Sequence, residues 1–192
     1  MEHGPVDTSP VSTDRTPPLD LASADVARLI RWADDFPTSG VRFADLTPVF
    51  ANADAFRDVV DALVSVGGDA DLIAGIDARG FLLGAGVARA MNAGVLAVRK
   101  AGKLPPPVLG RSYSLEYGTA TLEIPADGID LQGRRVLVID DVLATGGTLG
   151  AAAELLEAAG AHVLRIAVVL EIEALRGRER LPAHPLTSLL KV

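Results

Sequence analysis

Residues 135–148 read Arg-Val-Leu-Val-Ile-Asp-Asp-Val-Leu-Ala-Thr-Gly-Gly-Thr, and no other stretch of the sequence says as much about the fold. Residues 136–139 are β-branched or leucine throughout, which is typical of a buried parallel strand. Asp140 and Asp141 follow at the carboxyl end of that strand, and ligands of open α/β sheets bind in the crevice at this edge. The stretch therefore predicts a parallel sheet with a binding site beside it.

The loop after the two acids is suited to an anion. Residues 145–148 read Thr-Gly-Gly-Thr and open a helix predicted over residues 148–159. Glycines let backbone amides approach an anion closely, and a helix N-terminus adds unpaired N–H groups and a positive dipole end. Either the glycine pair or the acid pair alone is equally consistent with an ordinary turn or strand end. Their order along the chain favours a phosphorylated sugar whose hydroxyl groups hydrogen-bond the acids.

Strands and helices alternate along most of the chain. Strands are predicted over residues 71–76, 95–99, 136–140 and 163–170, and helices over residues 19–33, 53–66, 81–91 and 148–159. This alternation predicts an α/β fold, with a central parallel sheet flanked by helices. Residues 100–118 interrupt it with a long loop, and residues 119–124 are predicted to form a hairpin with residues 112–115.

Length and composition narrow the kind of protein. The 192 residues fit one domain, predicted over residues 19–192, and residues 1–18 are rich enough in Pro, Ser, Thr and Asp to predict a disordered tail. A formal net charge of −7 argues against nucleic acid or a membrane surface as a partner. No cysteine, transmembrane run or signal-peptide pattern is present, so a cytoplasmic protein is expected.

The 100–118 loop concentrates residue types that are rare elsewhere. Two of the three lysines, Lys100 and Lys103, and both tyrosines, Tyr113 and Tyr117, lie in it. Loops of this length are usually lids or disordered segments, and flexible lysine charges suit a phosphate group. On composition alone, a solvated surface loop remains the alternative.

Residues 77–80, Asp-Ala-Arg-Gly, form a second candidate anion site, because they follow a predicted strand and open a helix. Arg79 can make a bidentate contact to phosphate oxygens. A purely structural role is less favoured, since an arginine at a helix N-terminus faces the unfavourable end of the dipole.

Together these motifs resemble the type I phosphoribosyltransferases. The 144–148 loop resembles the phosphoribosyl-diphosphate signature that this family shares. Four stretches narrow the resemblance to the adenine branch of the family: Phe-Pro-Thr-Ser-Gly-Val (36–41), Gly-Ile-Asp-Ala-Arg-Gly-Phe (75–81), Arg-Lys-Ala-Gly-Lys-Leu-Pro (99–105) and Ser-Tyr-Ser-Leu-Glu-Tyr-Gly (112–118). The resemblance extends over residues 36–190, which is most of the chain.

The resemblance implies a fold and a reaction. The fold is the family's α/β domain with a small hood and a flexible catalytic lid at about residues 100–118. The reaction is transfer of the phosphoribosyl group from 5-phospho-α-D-ribose 1-diphosphate to adenine, giving AMP and pyrophosphate. The implied cofactor is Mg²⁺, carried largely by the diphosphate substrate and not by a metal cage of the protein, as suits that ion. A homodimer is implied as well.

Individual residues receive roles from the same resemblance. Arg42 and Ala44 would bind the base through their backbone groups, and Phe43 would stack on it. Many relatives have an aliphatic residue at 42 and a basic one at 44, so only the backbone role carries over at 44. The resemblance also implies a cis peptide bond between Asp77 and Ala78.

The remaining residues that the resemblance implies would bind the sugar phosphate or take part in catalysis. Asp140 and Asp141 would grip the ribose hydroxyls. The loop that would hold the 5-phosphate consists of Ala144, Thr145, Gly146, Gly147 and Thr148. The other implied substrate contacts are Arg79, Arg99, Lys100, Lys103 and Tyr117, and the catalytic candidates are Glu116, Arg79 and Lys103.

Two other functions stay open at this stage. The same transfer could use guanine, xanthine or hypoxanthine as the base. The rival from another class is a regulator that keeps the phosphoribosyl-diphosphate fold as a sensor. Such regulators usually carry a basic nucleic-acid-binding surface, whereas this chain is acidic and has the complete lid motif.

Overall fold

A seven-stranded sheet lies at the centre of the computed structural model, which describes residues 18–115, 118–181 and 183–192. The strands of the chain are β1 (Arg31–Ala33), β2 (Phe43–Asp45), β3 (Leu72–Ile76), β4 (Gly94–Lys100), β5 (Val108–Leu115), β6 (Gly118–Pro125), β7 (Arg135–Leu143), β8 (His162–Glu171) and β9 (Leu186–Lys191). The helices are α1 (Pro18–Leu29), α2 (Thr47–Phe50), α3 (Ala53–Val66), α4 (Arg79–Met91) and α5 (Gly147–Ala158), followed by two 3₁₀ turns, Glu173–Leu175 and Gly177–Arg180.

The sheet is mostly parallel, as the alternation of strands and helices predicts. Its strand order is β5-β6-β4-β3-β7-β8-β9, in which β4, β3, β7, β8 and β9 run parallel and the β5–β6 hairpin joins β4 antiparallel. The pairing of β7 with β3 ends at Ile139, whereas its pairing with β8 continues to Leu143. Asp140 and Asp141 therefore lie where β7 extends beyond the end of β3.

Helices cover both faces of this sheet. Alternate residues of β3 point to opposite sides, so Ala74 packs in a core with α5, while Ile73 packs in a core with α1, α3 and α4. Val, Leu, Ile and Ala fill these cores and most of them are fully buried. The predicted α/β architecture is confirmed.

Local signals explain why α3 matches its predicted bounds. The Asn52 side chain accepts a hydrogen bond from the Ala55 amide (3.0 Å) and caps the helix at its N-terminus. Val59 and Leu63 recur on one face and are completely buried. No helix among the described residues has both the length and the apolar character needed to cross a bilayer.

The predicted helix over residues 19–33 is wrong at its C-terminal end. Helix α1 ends at Leu29, and Arg31–Ala33 is a strand that pairs antiparallel with Phe43–Asp45. The Arg31 guanidinium also donates two hydrogen bonds to Asp45 (2.7 and 3.1 Å). This pairing overrides the helical pattern and creates a two-stranded hood beside the main sheet.

The predicted long loop is mostly a hairpin. Of the residues described in this stretch, 101–107 are irregular, and the hairpin strands extend beyond the predicted 112–115 and 119–124, because Val108 already pairs with Pro125. Strand β9 and the two 3₁₀ turns have no counterpart in the sequence prediction. Residues 1–17 of the predicted tail lie outside the described residues, and Pro18 begins α1.

Candidate active site

A cavity of about 1130 Å³ lies at the carboxyl ends of β3 and β7. Its walls come from the hood, the loops after β3 and β7, the hairpin and the segment after β8. The lining residues are Arg31, Ala33, Phe36, Val41, Arg42, Phe43, Ala44, Asp45, Thr47, Asp77, Ala78, Arg79, Lys100, Tyr113, Ala120, Asp140, Asp141, Val142, Ala144, Thr148, Ile172 and Leu175. The cavity is large enough for a sugar phosphate and a base together.

The acid pair lies in the wall formed by β7. The Asp141 amide donates a hydrogen bond to Oδ1 of Asp140 (2.9 Å), and Oδ2 of Asp141 lies 2.7 Å from Nε of Arg79. That oxygen is buried and accepts no aligned hydrogen bond within the described part of the chain, so its contact with Arg79 is an ion pair only. Asp141 thus keeps acceptor capacity for a hydroxyl group.

Burial changes the protonation of both acids. It raises the pKa of Asp140 well above its ordinary value, and repulsion by Asp141 adds to the effect. It also raises the pKa of Asp141, which the Arg79 guanidinium opposes. A buried carboxyl group beside a second, half-buried one is costly for stability, and groups with shifted pKa values are characteristic of functional sites.

The loop after β3 forms the adjoining wall. The peptide bond between Asp77 and Ala78 is cis, as the resemblance implies. The Arg99 guanidinium donates a hydrogen bond to Oδ2 of Asp77 (3.0 Å), and the Lys100 amide approaches the same oxygen (3.4 Å). Arg99 is absent from the cavity lining, but it contacts the site through this carboxylate. The loop and the end of β4 therefore bring three cationic residues, Arg79, Arg99 and Lys100, to one side of the cavity.

The glycine loop lies where β7 leads into α5. Gly146 adopts a left-handed conformation (φ +81°), which favours glycine, and α5 begins at the next residue. Ala144 and Thr148 line the cavity, and residues 145–147 connect them. The N-terminus of α5 therefore opens onto the cavity, which is the arrangement that binds phosphate in many α/β proteins.

The hood supplies the aromatic end of the cavity. The rings of Phe36 and Phe43 meet edge to face, 5.1 Å between centroids, and the Arg79 guanidinium lies 5.3 Å from the Phe43 centroid. The Arg42 side chain packs over Trp32 (4.5 Å) and forms an ion pair with Asp34 (3.6 Å). Since the Arg42 side chain is engaged there, its backbone is the part available to a base.

The β5–β6 hairpin contacts both the glycine loop at residues 144–148 and helix α5. The Thr148 hydroxyl donates a hydrogen bond to the Tyr113 hydroxyl (3.3 Å), and Arg111 forms an ion pair with Glu154 of α5. Lys100 lines the cavity, whereas Lys103 is exposed in the 101–107 turn and contributes nothing to the lining. Glu116 and Tyr117 lie outside the described residues.

The segment after β8 contributes two residues that the sequence analysis missed. Ile172 and Leu175 line the cavity. One signal for them was present, because β8 ends at Glu171 and ligands of parallel sheets lie outside the carboxyl ends of strands. Their side chains carry no chemistry of their own, so no motif drew attention to them.

Comparisons with known proteins agree with this site. The sequence profile described as "phosphoribosyl transferase domain" matches residues 48–189. The fold and the site thus define a phosphoribosyltransferase. A relative from Rhodococcus jostii, an adenine phosphoribosyltransferase, is 71% identical over 167 residues, which cover 87% of this chain and 94% of that protein.

Solved structures point to the adenine-specific members of this family. An adenine phosphoribosyltransferase from Rhodothermus marinus superposes with a TM-score of 0.84 and 41% identity, covering 90% of this chain and 99% of that one. The adenine phosphoribosyltransferase from Saccharomyces cerevisiae, in complex with an imino-altritol bisphosphate and adenine, superposes with a TM-score of 0.82 and 35% identity. The match covers 88% of this chain and 98% of that one. The chain belongs to the adenine phosphoribosyltransferase family, which confirms the family and activity predicted from its motifs.

Proposed function

We propose that this chain transfers the 5-phosphoribosyl group of phosphoribosyl diphosphate to adenine, giving AMP and pyrophosphate. One observation carries the proposal: a single cavity is lined by the acid pair, by Thr148 at the N-terminus of α5 and by the aromatic residues of the hood. These three features suit a ligand made of ribose, phosphate and base. The complex of the yeast relative with adenine and a bisphosphate supports the same assignment.

Each part of the donor has a fitting group in the cavity. The 5-phosphate would accept hydrogen bonds from the backbone of residues 144–148, and the ribose 2- and 3-hydroxyls would donate to Asp140 and Asp141. The diphosphate would lie against residues 77–79, near the cationic side chains. Bringing donor and base into contact in fixed orientation supplies much of the rate enhancement in reactions of this kind.

The chemical step is a substitution at the anomeric carbon. A ring nitrogen of adenine forms a bond to C1 of the ribose while the bond from C1 to the diphosphate oxygen breaks, with inversion. Pyrophosphate leaves with the electron pair, and the proton of the adenine nitrogen is lost. Arg79, Arg99 and Lys103 would stabilise the leaving group, and Glu116 on the lid would assist proton handling or support the charge of the transition state.

The residues present suit Mg²⁺ carried by the substrate. Among the described residues, no group of three or more acidic, histidine or cysteine side chains could hold a metal ion. The acid pair nevertheless offers carboxylate oxygens, one of them without an aligned hydrogen bond, and such oxygens suit this ion and its water ligands. Bound together with the diphosphate, Mg²⁺ would neutralise charge on the leaving group.

A homodimer fits an uncovered part of the sheet. Val95 pairs with Ile73 and so lies on the sheet face that α4 covers, yet Val95 is 54% exposed. Leu82 on α4 is 55% exposed. A contiguous apolar patch that included these side chains would suit a subunit interface. Light scattering of the purified chain, with a Val95→Lys variant as the comparison, tests the proposal.

We also propose that the chain works in the cytoplasm, because its phosphorylated donor is highly charged and does not diffuse across membranes.

The reaction is tested directly with the purified chain, adenine, the donor and Mg²⁺. We expect AMP and pyrophosphate in equal amounts, and their absence would reject the proposed reaction. The alternative of a nucleic-acid-binding regulator is tested by a mobility-shift assay at low salt. No shift is expected from a chain of net charge −7.

A further inference from the structure

The second 3₁₀ turn presses against the glycine loop. A Cβ atom built on Gly146 would lie 2.4 Å from the carbonyl oxygen of Gly177, and one built on Gly177 would lie 2.1 Å from the carbonyl oxygen of Ala144. The two backbones are therefore in direct contact, with no room for a side chain between them. The conformation of the glycine loop consequently depends on where the 3₁₀ turn is held.

Arg178 holds this turn on the sheet. Its guanidinium donates hydrogen bonds from Nε and Nη2 to the two carboxylate oxygens of Glu171 (2.9 and 2.5 Å). It also donates from Nη1 to the carbonyl oxygen of Leu186 (3.0 Å). Glu171 is only 4% exposed and accepts a further hydrogen bond from the Ser188 hydroxyl (2.6 Å). A bidentate arginine–carboxylate pair fixes both distance and orientation.

The charge state of the pair favours its persistence. The hydrogen bond from Arg178 is the main reason that the pKa of Glu171 falls below its usual value. Glu171 is therefore ionised at neutral pH, which keeps the bidentate contact intact. Arg178 itself lies outside the cavity lining, so its contribution to ligand binding must act through Gly177.

We propose that Arg178 is a positioning residue for the phosphoribosyl donor. Its pairing with Glu171 holds Gly177 against Gly146 and fixes the loop at residues 144–148 in the conformation that binds the 5-phosphate. This inference rests on the proposed function and assigns the donor side of that same site. The aromatic wall of the adenine pocket, Phe36 and Phe43, is built from the hood, a different element from the 3₁₀ turn.

The test compares the two substrates of one enzyme. In Arg178→Gln we expect the dissociation constant for ribose 5-phosphate and the KM for the donor to rise at least tenfold. The KM for adenine, measured at saturating donor, should stay within twofold. Arg178→Lys keeps the charge without the bidentate geometry and should give an intermediate value. Equal changes for both substrates, or unchanged ribose 5-phosphate affinity, would overturn the inference.

A matched control lies two residues away. Arg176 forms an exposed ion pair with Glu179 in the same segment (2.7 Å), and Arg176→Gln should leave all these constants within twofold of the wild type. A comparable loss in this control would assign the effect to general loosening of the segment and overturn the specific role of Arg178.

A milder variant keeps the inference testable if Arg178→Gln does not fold. Ser188→Ala removes one hydrogen bond from Glu171 and should raise the ribose 5-phosphate dissociation constant two- to fivefold without changing the KM for adenine. An unchanged constant would count against the inference. A wild-type chain that neither binds ribose 5-phosphate nor forms AMP would instead reject the proposed function.

Discussion

Nε of Arg79 lies 2.7 Å from the buried Oδ2 of Asp141. The cation that we assign to the diphosphate is thus paired with a carboxylate that we assign to the ribose. The donor would separate them, because its diphosphate offers Arg79 a new anion and its hydroxyl groups offer Asp141 new donors. In the proposed complex, the two members of the pair would hold different parts of the same substrate.

Replacing both acids should weaken donor binding without unfolding the chain. In Asp140→Asn with Asp141→Asn, the amides keep a similar shape but lose the charge. Hydrogen bonds to charged groups contribute about 1.5–3 kcal/mol each, so affinity should fall tenfold or more. Isothermal titration with donor and Mg²⁺ measures this. Asp54→Asn on the exposed side of α3 is the control, and unchanged affinity in the double variant would reject the ribose role.

Asp140→Asn should make the chain more stable at about pH 8. Burial raises the pKa of Asp140 in the folded state, whereas in the unfolded chain it is about 3.9. The folded state binds more protons between these two values, so the wild type loses stability as pH rises through that interval. An asparagine at position 140 does not titrate, so it causes no such loss of stability, and its side-chain oxygen can still accept the hydrogen bond from the Asp141 amide. Urea unfolding should give a larger free energy of unfolding for Asp140→Asn than for the wild type at about pH 8. This difference should vanish near the pKa of the unfolded chain. A less stable variant at about pH 8 would contradict the assignment.

Gly146→Ala should lower both stability and donor affinity. The new Cβ would collide with the Gly177 carbonyl oxygen, and the residue has φ +81°. Overpacking of this kind costs about 1–3 kcal/mol. Gly150→Ala, inside α5, is the matched control, since among the described residues outside its own helix its Cβ would meet only Leu181, at 3.4 Å. Alanine is favoured over glycine within helices, so the control should be at least as stable as the wild type. Thermal unfolding of both variants measures these changes, and we expect a lower Tm than the wild type for Gly146→Ala but not for Gly150→Ala.

Lys103→Ala should reduce turnover far more than stability. Lys103 is exposed in the turn before the hairpin, so it reaches the donor only if that turn moves. Loss of one transition-state contact costs about 2.7–4 kcal/mol. Lys191→Ala, which removes an exposed lysine near Glu173 (3.6 Å), serves as the control. Wild-type turnover in Lys103→Ala would exclude a direct role.

The sequence was sufficient to predict the elements whose structure depends on residues that are neighbours along the chain. Helix α3 has its own cap and apolar face, and residues 135–148 carry the strand, the acids and the loop in one run. The strand at Arg31–Ala33 was missed because its partner is in a separate segment that no local pattern reveals. Ile172, Leu175 and the Arg178–Glu171 pair were missed for a similar reason, since contacts between distant segments give them their roles.

The choice of base distinguishes transfer to adenine from transfer to the other purines. Stacking on Phe43 suits every purine, so discrimination must come from backbone groups at Arg42 and Ala44. A backbone carbonyl would accept a hydrogen bond from the exocyclic amine of adenine, whereas the 6-oxo purines present an acceptor there. Each unpaired buried group costs about 1–3 kcal/mol, and two would give a hundredfold preference or more. We therefore expect kcat/KM for adenine to exceed that for hypoxanthine and guanine at least a hundredfold, and a value for either base within tenfold of adenine would contradict the account.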